Sequence, residues 1–384
     1  MNRLDELIFE FAPEGVLNIA LSELADYSST RVNAADLDET SFVGVDNLVA
    51  DKGGRVDASY LPNTARLTAY ELGDILLGNI RPYLKKVWRA TGAGGCSGDV
   101  LAIRIKSEAK SRLDSEFLYY LLSSDGFFAY NMQHAKGAKM PRGSKAAILN
   151  FRIPLPPLEA QREIVKTLDQ FTQLEAELEA ELEARRAQYD YYHADLIRRA
   201  TDGSDWLPLG EVASVRTGQS PPQGVPASSG EYAFVNAGTT ESGRSSDANT
   251  DGDAITIPSR GQGGVGIVGY QSAPFWCGPL CYRIRSSTNA LHSRFLYYFL
   301  KSIQPSIRGL QQTGGTPALN RKELILVEVP LPPIEIQEHV VGVLDQFDAL
   351  VNDIYVGLPA ELTARRKQYE YYRDQLLTFE EAPA

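Results

Sequence analysis

From Pro154 the chain reads PLPPLEAQREIVKTLDQF, and from Pro330 it reads PLPPIEIQEHVVGVLDQF. Further along each copy, ARRAQYDYY begins at Ala184 and ARRKQYEYY at Ala364. Pro156, Pro157, Glu159, Gln161, Leu168, Asp169, Gln170 and Phe171 recur 176 positions later as Pro332, Pro333, Glu335, Gln337, Leu344, Asp345, Gln346 and Phe347. Arg185, Gln188, Tyr189, Tyr191 and Tyr192 return 180 positions later as Arg365, Gln368, Tyr369, Tyr371 and Tyr372. The second copy therefore carries four extra residues, a stutter that keeps an apolar helix seam in phase. An internal repeat of this length takes precedence over any single motif: the chain is two half-molecules, each a globular block ending in a long helix.

The blocks are weakly alike as well. Gly15, Leu21, Glu23 and Ala25 align with Gly203, Leu209, Glu211 and Ala213, and Phe117-Leu-Tyr-Tyr120 with Phe295-Leu-Tyr-Tyr298. Short apolar runs bounded by turn residues, at 100–105, 255–257 and 264–268, predict a twisted sheet, with short helices around 117–122 and 295–300. Each block closes on a strand at Ile153 or Val329, and the following prolines stop strand pairing and preset helix entry. Over 158–197, Ile164, Leu168, Phe171, Leu178, Leu182, Tyr189 and Tyr192 keep three- and four-residue spacing, and the Glu/Ala/Leu run 174–184 adds helix propensity. About 40 residues at 1.5 Å each make a helix of roughly 60 Å.

Alone, that helix would leave its stripe wet. The second copy is its expected partner, in an antiparallel intramolecular coiled coil with a pseudo-two-fold relation. Gly357-Leu-Pro359 predicts a kink or break in that second helix. The expected class is α+β, with blocks at 1–153 and 201–329 and helical spacers at 154–200 and 330–384.

Composition sets outer limits. The chain has 384 residues, enough for two to three domains, and 43% apolar content, ordinary for a globular protein. It has no run of about 18 apolar residues. Its start, Met-Asn-Arg-Leu-Asp-Glu, is acidic and amphipathic, unlike a secretory signal, so a cytoplasmic location is expected. Three cysteines, Cys96, Cys277 and Cys281, favour reduced structural thiols.

Net charge is −11, which looks wrong for nucleic acid until it is divided. Residues 1–150 carry 17 basic and 19 acidic side chains, residues 201–328 carry 10 of each, and the helical segments hold the rest of the deficit. No Asp or Glu occurs between Asp253 and Glu323, and none between Asp125 and Glu159. Two local basic faces suit a phosphate backbone. Charge alone equally fits bases scattered over a solvated surface.

Motifs for chemistry are sparse. The Pro-Pro pairs at Pro156, Pro221 and Pro332 lack the preceding Asn or Asp of an amino-methyltransferase. Gly261-Gln-Gly263-Gly-Val-Gly266 imitates a dinucleotide loop, but no acidic residue lies some 20 positions on, and the chain continues toward another strand. His134, His193, His292 and His339 have no metal-ligand spacing, and Cys277 and Cys281 lack a second pair. No metal site is expected.

The PLPPLE/PLPPIE helix entries, the LDQF repeats and the ARRxQYxYY segments resemble the specificity subunits of type I restriction-modification systems, over nearly the whole chain. The resemblance implies two target-recognition domains, each reading half of a bipartite double-stranded DNA sequence, with the repeated helices as a ruler. It also implies two modification subunits that bind S-adenosylmethionine and methylate adenine, and ATP-dependent restriction subunits. This chain would hold no cofactor, do no chemistry and meet no membrane. A related system that cleaves beside its site remains open, as do a coiled-coil adaptor without DNA and a nucleotide-dependent oxidoreductase built on Gly261.

On the DNA reading, glycine-rich basic loops supply the contacts, because glycine lets amides approach phosphates while Arg and Lys neutralise charge or read guanine. In the first block these are Asn79, Arg81, Tyr83, Lys85 and Lys86, with Lys136, Lys139, Arg142 and Lys145. In the second they are Ser259, Arg260, Gln262, Gln311, Gln312, Arg321 and Lys322, with Thr217, Gln219 and Ser220 on a turn. Arg81 and Arg260 stand at similar distances before Cys96 and Cys277 and read as equivalent positions.

Overall fold

A computed structural model describes residues 15–221, 229–238, 240–312, 315–352 and 357–382; the acidic start of the chain lies outside them. The chain forms two compact units. Residues up to Glu177 join those from Thr363 onward in the first, and Leu178–Leu362 make the second.

In the first unit, β1 (Ala25–Tyr27), β2 (Ile75–Gly78), β3 (Val87–Arg89) and β4 (Val100–Ile105) form an antiparallel sheet in the order β1-β4-β2-β3. Strand side chains alternate between faces. Ile75, Leu77, Leu101 and Ile103 face a core shared with α1 (Ser115–Leu122) and α2 (Asp125–Gln133), while Leu76 and Ala102 join Val43, Tyr70 and Cys96 on the other side. Burial on both faces explains why these strands read as unbroken apolar runs. The short helix α3 (Lys145–Asn150) leads to strand Arg152–Pro154, which pairs with Asn18–Ala20, and then to α4 (Leu158–Thr201).

The second unit repeats the plan. β5 (Ala213–Thr217), β6 (Ala254–Pro258), β7 (Gly269–Gln271) and β8 (Cys281–Ser286) take the order β5-β8-β6-β7, all antiparallel. Ile255, Ile257, Tyr282 and Ile284 pack into one core with α5 (Ser293–Ser302) and Ile307 of α6 (Gln304–Gly309). After α7 (Arg321–Leu324), strand Glu328–Leu331 pairs with Asp205–Pro208 and opens into α8 (Ile334–Asn352) and α9 (Leu358–Leu376). Gly357 is not helical, so the second helix is interrupted as its Gly-Leu-Pro predicts, and Pro359 falls in the first turn of α9, where a missing N–H costs little. The run 264–268 is a turn rather than a strand. Gly263 and Gly266 sit at φ +90° and +76°, a left-handed backbone that a strand cannot accommodate.

The repeated residues have repeated jobs. Buried Gln161 donates through Nε2 to the carbonyls of Arg112 (2.7 Å) and Pro156 (2.8 Å) and accepts from the Asp114 amide (2.9 Å). Gln337 does the same with Ala290 (2.9 Å), Pro332 (2.7 Å) and the His292 amide (2.8 Å). Asp114 and His292 in turn cap α1 and α5. The Tyr120 hydroxyl donates to Asp169 and that of Tyr298 to Asp345, each at 2.5 Å.

Both units pair helix against helix. In the first, Phe171 of α4 stacks on Tyr372 of α9 (5.5 Å between ring centroids), and Glu175 pairs with Arg366 at 2.6 Å, so the two run antiparallel. In the second, Tyr192 of α4 meets Phe347 of α8 at 5.8 Å. Each LDQF phenylalanine thus packs on the second tyrosine of the other copy's Tyr-Tyr pair.

Candidate nucleic-acid interface

Backbone pairing brings together loops of the first unit that lie some 60 residues apart in sequence. The Arg81 amide donates to the Pro141 carbonyl (2.7 Å), Ile80 bridges Arg142, and Lys136 and Arg142 exchange hydrogen bonds of 2.9 and 2.8 Å. The turn 81–85 is tight: Arg81 and Lys85 adopt φ of +54° and +50° around a 3-10 turn at Pro82–Leu84. Arg81, Tyr83, Lys136, Lys139, Arg142 and Lys145 are exposed on this paired loop. Arg142 is 3.1 Å from Asp99, and Lys145, the first residue of α3, lies over the Tyr27 ring.

Three expected contacts turn inward instead. Lys86 donates to the Val45 carbonyl at 2.7 Å, and Asn79 is buried. Lys85 is 2.7 Å from Asp125, a carboxylate that also pairs with Lys52 (3.2 Å) and buried Arg373 of α9 (3.0 Å). Partial burial would raise the pKa of Asp125, but these cations hold it well below the usual carboxylate range. This hub ties the exposed turn to the spacer helix.

The second unit builds the same device. Arg260 bridges Ala318, the Gly261 amide donates to Pro317 (3.2 Å), and the Leu319 amide to Ser259 (2.8 Å). Ala318 and Leu319 pair on their other side with Gln312 and Gln311. Gln311 donates from Nε2 to the Val265 carbonyl (2.9 Å), fastening the glycine turn. Arg260, Gln262, Gln312, Arg321 and Lys322 are exposed, although Arg321 also donates to the Val215 carbonyl at 2.8 Å. Thr217, Gln219 and Ser220 are exposed at the same sheet end, where the Gly218 amide reaches the Cys281 carbonyl (3.1 Å) and that of Gln219 the Cys277 carbonyl (2.9 Å). A Cβ at Gly218 would meet the Cys277 carbonyl oxygen at 2.2 Å, so only glycine fits there.

The pairing register corrects one expectation. Lys136 opposite Arg142 matches Gln312 opposite Ala318, and Ile80 matches Arg260, so Arg81 corresponds to Gly261 and not to Arg260. Counting back from the cysteines ignores how the two turns differ, Arg81 being left-handed at φ +54° and Gly261 at φ +130°.

The register also sets beside the expected Asn79 two residues that motif reading missed, Asn131 and Gly143. The Asn131 side-chain oxygen and nitrogen and the Asn79 oxygen are buried without partners, and both oxygens lie within 3 Å of where a Gly143 Cβ would sit. One direct amide–amide bond would still leave one end of Asn131 unmet. The matching residues of the second unit are Ser259, Ile307 and Leu319, the latter two buried in its core. The signal was the 176-residue offset itself, which pairs Asn131 with Ile307 and Gly143 with Leu319.

Gly261, Gly263 and Gly266 form a turn that runs into β7 and not into a helix N-terminus. Among the described residues no cluster of His, Cys, Asp or Glu has the arrangement of a metal site, and no helix is long and apolar enough to cross a membrane. Cys96 is buried, which pushes its thiol up to about 12, and its sulfur faces the Val100 carbonyl at 3.6 Å as that of Cys277 faces Cys281.

A profile of the type I restriction modification DNA specificity domain matches residues 96–184 and 203–364. A putative type I restriction enzyme specificity subunit of Haemophilus influenzae is 30% identical over 294 residues, covering 70% of this chain and 74% of its own. The EcoR124I/EcoR124II specificity subunit of Escherichia coli is 32% identical over 258 residues, covering 59% and 63%. The crystal structure of an S subunit from M. genitalium superposes with a TM-score of 0.64 at 18% identity, over 94% of this chain and 96% of that one. A second, solved in work on assembly of the type I system, gives 0.64 at 22% identity over 96% and 98%. With two matched segments, two like units and a long helix running from one to the other, the chain belongs to the family of type I restriction-modification DNA specificity subunits.

Proposed function

We propose that each unit lays its paired loops on one half of a split duplex target, and that the chain holds two modification subunits over that target without catalysing a reaction itself. The observation that carries this reading is the duplicated loop device. The same backbone bonds present Arg81, Tyr83, Lys136, Lys139 and Arg142 in one unit and Arg260, Gln262, Gln312, Arg321 and Lys322 in the other. Identical frames with different side chains suit two different half-sites. Residues 1–153 and 201–329 serve as recognition segments, and 154–200 and 330–384 as spacers.

The partner reading rests on the helices. Tyr191 and Tyr371 are 67% and 62% exposed, Tyr192 and Tyr372 40% and 41%, at corresponding positions of the two copies. Two like surfaces suit two copies of one partner, and a fold neighbour comes from work on type I complex assembly. S-adenosylmethionine and ATP belong on the modification and restriction subunits, and the assembly works in the cytoplasm. Single-molecule detection of modified bases in host DNA, with and without this gene, tests the function. Loss of methyladenine from one bipartite sequence is the expected result, while unchanged methylation in a host with an active modification subunit would refute it.

A further inference from the structure

Tyr282 and Ile284 of β8 face the helices, so Arg283 and Arg285 face the other way. On the neighbouring strand Arg216 stands opposite Arg283, and Ser214 opposite Arg285. Arg216, Arg283 and Arg285 line one cavity of about 430 Å³ with Asn249, Thr250 and Asp251. Arg283 is fixed there by donating to the Asn249 carbonyl (2.5 Å) and the Thr250 hydroxyl (2.7 Å). Arg285 donates to the Gly252 carbonyl, yet its Nε is buried without a partner. The nearest carboxylate, Asp251, is 3.6 Å from Arg285 and 93% exposed. Arg216 is exposed and has no ion-pair partner among the described residues.

The first unit shows the neutralised version of this place. Through the strand register Arg216, Arg283 and Arg285 correspond to Ser28, Ala102 and Arg104. Arg104 is held by Asp74 through Nε (3.0 Å) and a terminal nitrogen (2.7 Å), and by Glu71 at 2.9 Å. The residue matching Asp74 is Ala254. One guanidinium with two carboxylates has become three guanidiniums with one solvated carboxylate, an arrangement that calls for a counter-anion.

We propose that the Arg216–Arg283–Arg285 cavity takes a backbone phosphate of the DNA engaged by the second unit. Guanidinium matches phosphate in bidentate geometry, and Arg216 directly precedes the exposed turn 217–220. The proposal rests on the DNA-recognition reading and adds a contact that is indifferent to sequence.

The test needs no knowledge of the target: the full chain is titrated with a random-sequence duplex at several KCl concentrations. Arg216→Gln with Arg285→Gln should lower the slope of log K against log[KCl] by about one, the value for a lost phosphate contact. Arg216→Lys with Arg285→Lys should keep most of that slope, which separates charge from folding. A double Gln variant that melts like the parent and keeps the parental slope overturns the proposal. So does inorganic phosphate raising the melting temperature of the parent alone while the DNA slopes stay equal, since the site then takes free phosphate. A parent chain that binds no duplex at any salt removes the DNA reading and this site with it.

Discussion

Behind its exposed loops the first unit places Asn79, Asn131 and Gly143, where the second places Ser259, Ile307 and Leu319. The frame around both is the same: the Gly143 amide reaches the Asn79 carbonyl at 3.0 Å and the Leu319 amide reaches that of Ser259 at 2.8 Å. The difference teaches that backbone pairing is kept while the filling beneath it is free to change. A polar corner with unmet amides supports one loop pair, and a corner filled by the buried Ile307 and Leu319 supports the other. A bound water with three partners would satisfy the first corner.

Truncation should separate the corners most. Leu319→Ala is expected to destabilise the second unit by about 2–5 kcal/mol, whereas Asn131→Ala should cost about 1 kcal/mol or less, since it removes an amide that has no protein partner. Urea unfolding followed with hydrogen exchange in each unit would show it, and equal losses would break the contrast. Next in size are Gln161→Leu and Gln337→Leu, each leaving an amide and two carbonyls unmet at a cost of about 2–3 kcal/mol. Here the two units should agree, and a large gap between them in the same experiment would contradict the shared frame.

Arg81→Ala should weaken duplex binding by about 1–3 kcal/mol if it reads a base, with relaxed preference in one half-site only, as measured by competition between duplexes altered in either half. The smallest effect sharpens the hub. Asp125 has a lower pKa folded than unfolded, so its contribution is full above about pH 4 and fades as pH falls through the folded value. Asp125→Asn should therefore cost about 1 kcal/mol or less near neutrality, its carboxylate being half exposed, and converge with the parent in acid. Melting curves across that range decide it.

The frame was largely legible, because repeats, proline punctuation and helix periodicity are local signals. Gln161 and Gln337 stood out as repeated letters long before their three hydrogen bonds gave the reason. The candidate interface was legible only in part. Lys85 and Lys86 read as exposed bases until Asp125 and the Val45 carbonyl, both distant in sequence, claimed them. The run 264–268 read as a strand because periodicity counts valines and isoleucine but not the φ its glycines need. Arg283 and Arg285 were counted as basic charge, yet only strand register puts Arg216 beside them.

The first unit is built from both ends of the described chain. Val16 and Glu380 hydrogen-bond at 2.9 Å, and Arg152 reaches Glu381 at 3.3 Å. The second unit, Leu178–Leu362, is continuous and 185 residues long. On a ribosome adding about 5–20 residues per second, Phe171 is made roughly 10–40 s before the tyrosines that cover it. The block translated first is therefore the last to be finished, and for that interval Phe171 waits without the ring that covers it.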